Sequence, residues 1–159
     1  MIRLTLLFLV TLLLGCSDKP KIKRLELSSD NHFKVALNEP IAYANVTADH
    51  IEVYIDVTIS NAVLDLDKIK TRDRLSLETT FGAYDNIVND LSKASNNAFL
   101  LYWVSTDSIS RTKGLAAYQK TDSLFTGIGS DKDIYNTFQS YTNSEEGKTL
   151  KDPKKNTGK

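Results

Sequence analysis

The chain has 159 residues, 41% of them hydrophobic, with 20 basic and 20 acidic side chains, two histidines and a single cysteine. So even a charge balance argues against a nucleic-acid partner, which needs a concentrated positive surface. One cysteine excludes an internal disulfide, and the length suits one domain with a core able to hold without covalent staples.

Arg3 precedes an apolar run over residues 4–14, broken only by Thr5 and Thr11, which ends in Leu13-Leu14-Gly15-Cys16. A basic start, a short apolar segment and a small residue at the break are the marks of a secretion signal. The run is about half of the ~20 apolar residues that span a bilayer. Leu13-Leu14-Gly15-Cys16 resembles the lipobox of bacterial lipoproteins. The resemblance implies a diacylglycerol on the Cys16 thiol, cleavage after Gly15 and a further acyl chain on the new amino terminus. One acyl chain holds a protein to a bilayer only marginally, whereas two or three hold it stably. Ser17, next to the cysteine, resembles lipoproteins sent to the outer membrane. The expected location is therefore the cell envelope, lipid-anchored at the outer membrane and facing the periplasm. The expected organisation is a signal peptide over 1–15, the lipidated cysteine and a short tether over 16–21, one domain over 22–142, and a disordered polar tail over 143–159.

Within the domain, Ile22, Leu25 and Leu27 lead to a turn at Ser28-Ser29-Asp30-Asn31, whose composition suits an Asx or Ser turn. Phe33, Val35 and Leu37 then alternate as a strand. Pro40 breaks it, and residues 41–46 resume it. Ile51, Val53, Ile55, Val57 and Ile59 alternate with Glu52, Tyr54, Asp56, Thr58 and Ser60. Five β-branched residues at a period of two predict the central strand of an antiparallel sheet with one dry face. Leu75, Leu77, Thr79 and Phe81 alternate again, and Gly82 marks a change of period. Tyr84, Ile87, Val88, Leu91 and Ala94 predict an amphipathic helix stopped by Asn96-Asn97. Residues 98–104, Ala-Phe-Leu-Leu-Tyr-Trp-Val, read as a strand covered on both sides. After a polar loop over 105–112, Leu115, Tyr118 and Leu124-Phe125 suggest a second helix. Ser130 is placed as the N-cap of a third, carrying Ile134, Phe138 and Tyr141. The predicted fold class is α+β, an antiparallel sheet of four to six strands with two or three helices on one face.

Candidate chemistry is sparse. Ser110-Arg111-Thr112-Lys113 and Ser29-Asp30-Asn31 match two motifs of penicillin-binding enzymes, but in reversed order, without Lys-Thr-Gly and in too short a chain. Gly147-Lys148-Thr149 resembles the end of a phosphate loop but lacks its first glycine. Neither His32 nor His50 has a second His or Cys at ligand spacing. The Asp65, Asp67 and Asp73 spacing is not that of a calcium loop. Glu52 and Asp56 read as a solubilising face. No catalytic, metal or cofactor site is expected, and the chain is read as non-enzymatic. Tyr54, Tyr102 and Trp103 are the candidate interaction surface, because tyrosine and tryptophan are enriched in recognition. The expected function is a membrane-anchored lipoprotein that binds another envelope or secreted protein. Its rivals are an immunity lipoprotein against a periplasm-acting toxin, an accessory subunit of an envelope or secretion complex, and a small periplasmic hydrolase.

Overall fold

A computed structural model describes residues 23–36 and 38–151. The expected sheet is overturned: the fold is an all-helical bundle, with no strand among the described residues. The helices are α1 (Ala48–Lys70), α2 (Ala83–Val104), α3 (Ser108–Gly129), α4 (Lys132–Asn143) and α5 (Glu145–Lys151). Ahead of α1 comes an irregular strap, with one 3-10 turn at Tyr43–Asn45. Helices α1, α2 and α3 pack mutually as a three-helix bundle, and α4 closes its lower end.

The 51–59 segment forms α1 rather than a central strand, for two reasons. The alternation stops at Ser60, but apolar residues continue to Ile69, and the buried set is Ile51, Ile55, Ala62, Leu66 and Ile69. Their spacings of four, seven, four and three form one helical stripe. The start is also capped reciprocally. The His50 backbone N–H donates to Thr47 Oγ1, and the Thr47 N–H donates to His50 Nδ1, both at 3.3 Å. The remaining β-branched residues are distributed around the helix: Val53 is exposed, and Val57 lines a groove. Tertiary burial here outweighs their modest helix propensity.

Residues 75–81 do not form a strand either. Ser76 and Thr79 cap each other side chain to backbone, at 3.1 and 3.2 Å. A π-turn over Glu78–Gly82 then feeds directly into α2. The helix predicted over 84–95 is present. It does not stop at Asn96-Asn97 but runs to Val104, so the run 98–104 is its last two turns rather than a strand. Asn97 Oδ1 accepts a 2.7 Å hydrogen bond from the Tyr43 hydroxyl; its polarity serves a tertiary contact instead of a helix stop. The expected polar loop over 105–112 is short, because Asp107 caps α3 by accepting from the Ile109 and Ser110 N–H groups at 3.3 and 2.8 Å. The N-cap of α4 is Asp131, one residue beyond Ser130.

The α2–α3 seam is lined by small residues. A Cβ on Gly114 would meet Ala98 O at 2.6 Å and Tyr102 N at 2.9 Å. Thr121 donates a buried 3.0 Å hydrogen bond to Ser95 Oγ. The upper core joins Phe33, Val46, Ile51, Ile55, Ala98 and Leu101. The lower core joins Leu66, Ile69, Ile87, Leu91, Ile128 and Ile134, beside stacked Phe81 and Phe138 with centroids 4.5 Å apart. Helix α5 lies within the stretch expected as a polar tail. Glu146 on it accepts from the Leu77 N–H at 3.1 Å, and its Gly147 packs against the α4 backbone at Tyr141.

Candidate surface at the tip of the α2–α3 hairpin

Cys16 lies outside the described residues. The other three candidate side chains are divided between two places. Tyr54 on α1 is half-buried and stacks on Phe33 with ring centroids 4.4 Å apart. Burial raises its hydroxyl pKa above the ordinary tyrosine value, so Tyr54 is core lining under the strap. Tyr102 and Trp103 sit at the end of α2. The strand reading sends their side chains to opposite sides. In the helix they are neighbours, with centroids 5.0 Å apart.

Around them the hairpin tip is apolar and open. Trp103 is 67% exposed, Val104 58%, Ile109 63% and Leu100 41%. Phe99 lies beneath, its ring 4.5 Å from Tyr118 and 6.0 Å from Trp103. Between residues 99 and 110 the only charged side chain is Asp107, which is occupied as the α3 cap. The connection itself is fixed, since Arg111 donates to the Ser105 and Thr106 carbonyls at 2.9 and 3.2 Å. The sequence reading missed Leu100, Val104 and Ile109. The signal was available in Asp107 two residues before Ile109, an N-cap spacing that puts Ile109 in the first turn of a helix beside the aromatic run.

Other candidates are drawn into structural roles. Glu52 and Asp56, expected on a wet face, bridge to α3 through Lys113 (2.6 Å) and Lys120. Asp65 pairs with Arg24 and, at 2.7 Å, with Lys68. Burial opposes its charge, but those two cations outweigh it and hold the carboxyl below the usual range. Asp67 lines a separate surface hollow with Lys70 and Asp133. His32 and His50, far apart in sequence, meet edge to face at 5.0 Å. No group of three or more His, Cys, Asp or Glu among the described residues is arranged to hold a metal ion. Ser110 is buried in the first turn of α3 and Gly147 lies in α5, neither in the setting its motif requires.

No described helix is long and apolar enough to cross a membrane. No protein-family model matches the chain, and no curated protein or solved structure shows a significant similarity to it.

Proposed function

We propose that this chain is a lipid-anchored protein-binding module of the cell envelope, tethered through Cys16, with the tip of the α2–α3 hairpin as its recognition surface. The observation that carries the reading is the exposure of Trp103 together with Val104, Ile109 and Leu100 at one tip. A large exposed aromatic is the residue type most enriched in interface hot spots, and several large apolar side chains exposed at one end of a small domain mark an interaction site. The lipobox-like Leu13-Leu14-Gly15-Cys16 supports the anchor.

The test compares the wild-type lipoprotein with a Trp103→Ser, Val104→Ser double variant, both recovered from membranes after reversible cross-linking. Because both side chains are mainly exposed, the variant keeps its helical circular dichroism. It is expected to lose at least tenfold of a cross-linked protein that the wild type retains. Equal recovery of the same protein by the variant contradicts the assigned surface. Cys16→Ala is expected to move the folded domain from the membrane fraction to the soluble fraction, and unchanged flotation with membranes contradicts the anchor.

A further inference from the structure

The strap, α1 and α2 border a long open groove of about 440 Å³. Its α1 wall is one helical stripe that includes Tyr54, Asn61, Asp65, Lys68 and Arg72. From Tyr54 to Arg72 this wall is about 25 Å long, and the α2 wall from Ala83 to Lys93 about 15 Å, at ~1.5 Å per residue. Dividing the volume by those lengths gives a mean cross-section of about 18–29 Å². That is a slot one hydrocarbon chain wide, since packed carbons approach to ~3.5–4.0 Å. The volume itself lies within the ~300–1,000 Å³ of small-molecule sites.

Two polar groups of the slot are already used. The Asn61 amide holds both backbone groups of Leu25, at 2.8 and 2.9 Å, and the Thr58 hydroxyl donates to the Tyr54 carbonyl at 2.8 Å. An extended peptide laid here would leave N–H and C=O groups without these partners, whereas a hydrocarbon chain needs none. Leu27, Val57, Ile69 and Ile87 supply apolar wall. Charge is placed unevenly along the slot. Toward the Arg72 end, Arg24, Lys68 and Arg72 meet a single carboxylate, Asp65, which Arg24 and Lys68 already share. Arg72 makes no ion pair among the described residues. At the other end Asp90 and Lys93 lie about one turn apart on α2, so charge balances there. We propose that the groove binds a free long-chain carboxylate, its head on Arg72 and Lys68 and its chain running toward Leu27 and Tyr54. The guanidinium fork of an arginine suits a carboxylate through two parallel hydrogen bonds. This site requires neither the anchor nor the tip surface proposed above.

Equilibrium dialysis of radiolabelled palmitate against the full chain carrying Cys16→Ala, which has no thiol to acylate, tests this. Saturable binding of one palmitate per chain is expected. Hexadecanol, which has the chain without the charge, and acetate, which has the charge without the chain, should each bind at least tenfold more weakly. Arg72→Ala is expected to weaken palmitate at least fivefold, and Asn86→Trp, which puts a ring into the slot, at least tenfold. Both positions are exposed, so the variants keep their helical circular dichroism. Methyl resonances of Val57, Ile69 and Ile87 should shift with palmitate, and those of Val104 and Ile109 should not. Absence of saturable binding overturns the site, as does hexadecanol binding as tightly as palmitate. Binding that Asn86→Trp leaves unchanged, or shifts confined to the tip, also overturns it.

Discussion

The α1–α2 pair is covered on two flanks by different means. On one, α3 comes so close that Gly114 leaves no room for a Cβ against the backbone of α2. On the other, the strap is held by an amide clasp on Asn61 and by the Arg24–Asp65 ion pair, beside an open cavity. The first contact is made by backbone shape and cannot adjust in small steps. The second is made near Leu25 by polar side-chain ties, each of modest net strength, over a groove that is not filled by the described residues, and only farther along, at Phe33 and Val46, by burial in the upper core. The α2–α3 hairpin is therefore the rigid part of the molecule, which suits its tip to present a preformed surface. The Arg24–Leu25 end of the strap is the separable part.

The largest effect is expected at the seam. Gly114→Val forces a branched side chain into Ala98 and Tyr102 backbone atoms, and should cost about 3 kcal/mol or more in urea unfolding. A change below about 1 kcal/mol would show that the seam yields and would erase the contrast. Leu91→Ala, in the lower core shared by both flanks, should cost about 2–4 kcal/mol without changing strap exchange relative to the rest. Asn61→Ala removes both clasps on Leu25. It should cost only about 1 kcal/mol globally, while amide exchange over 24–27 accelerates selectively. Uniform acceleration across the bundle would mean that strap and bundle open as one unit.

The smallest effect concerns pH. The Asp65 carboxyl is held low in the fold by Lys68 and Arg24 against the opposing effect of burial. Its contribution is therefore fully present above the unfolded value of about 3.9 and is lost as pH falls through the lower folded value. Strap exchange should rise below about pH 4, and Asp65→Asn should raise it at pH 7 and flatten that dependence. An unchanged acid response in the variant would assign the effect elsewhere.

The sequence exposed some of this architecture and hid the rest for definable reasons. Tyr84, Ile87, Leu91 and Ala94 follow one helical stripe against a polar opposite face, and Ile134, Phe138 and Tyr141 do the same, so those helices were legible. Over 51–60 a ten-residue window contains a complete strand pattern. Only the continuation to Ala62, Leu66 and Ile69, with the Thr47 and His50 cap, reveals the helix. Residues 98–104 are apolar all round because α2 packs on α1 and α3 while its remaining side forms the exposed tip, so periodicity is lost where the candidate surface lies. Trp103 and Tyr102 were recognisable by residue type. Their grouping with Ile109 was not, since it depends on the hairpin turn fixed by Asp107 and Arg111.

The central claim is tested most directly by a photo-crosslinking amino acid placed at position 103 in living cells, with exposed position 63 on α1 as control. The account predicts one discrete protein adduct from position 103 and none from position 63. Adducts to lipid alone from position 103, or the same adducts from both positions, would contradict it.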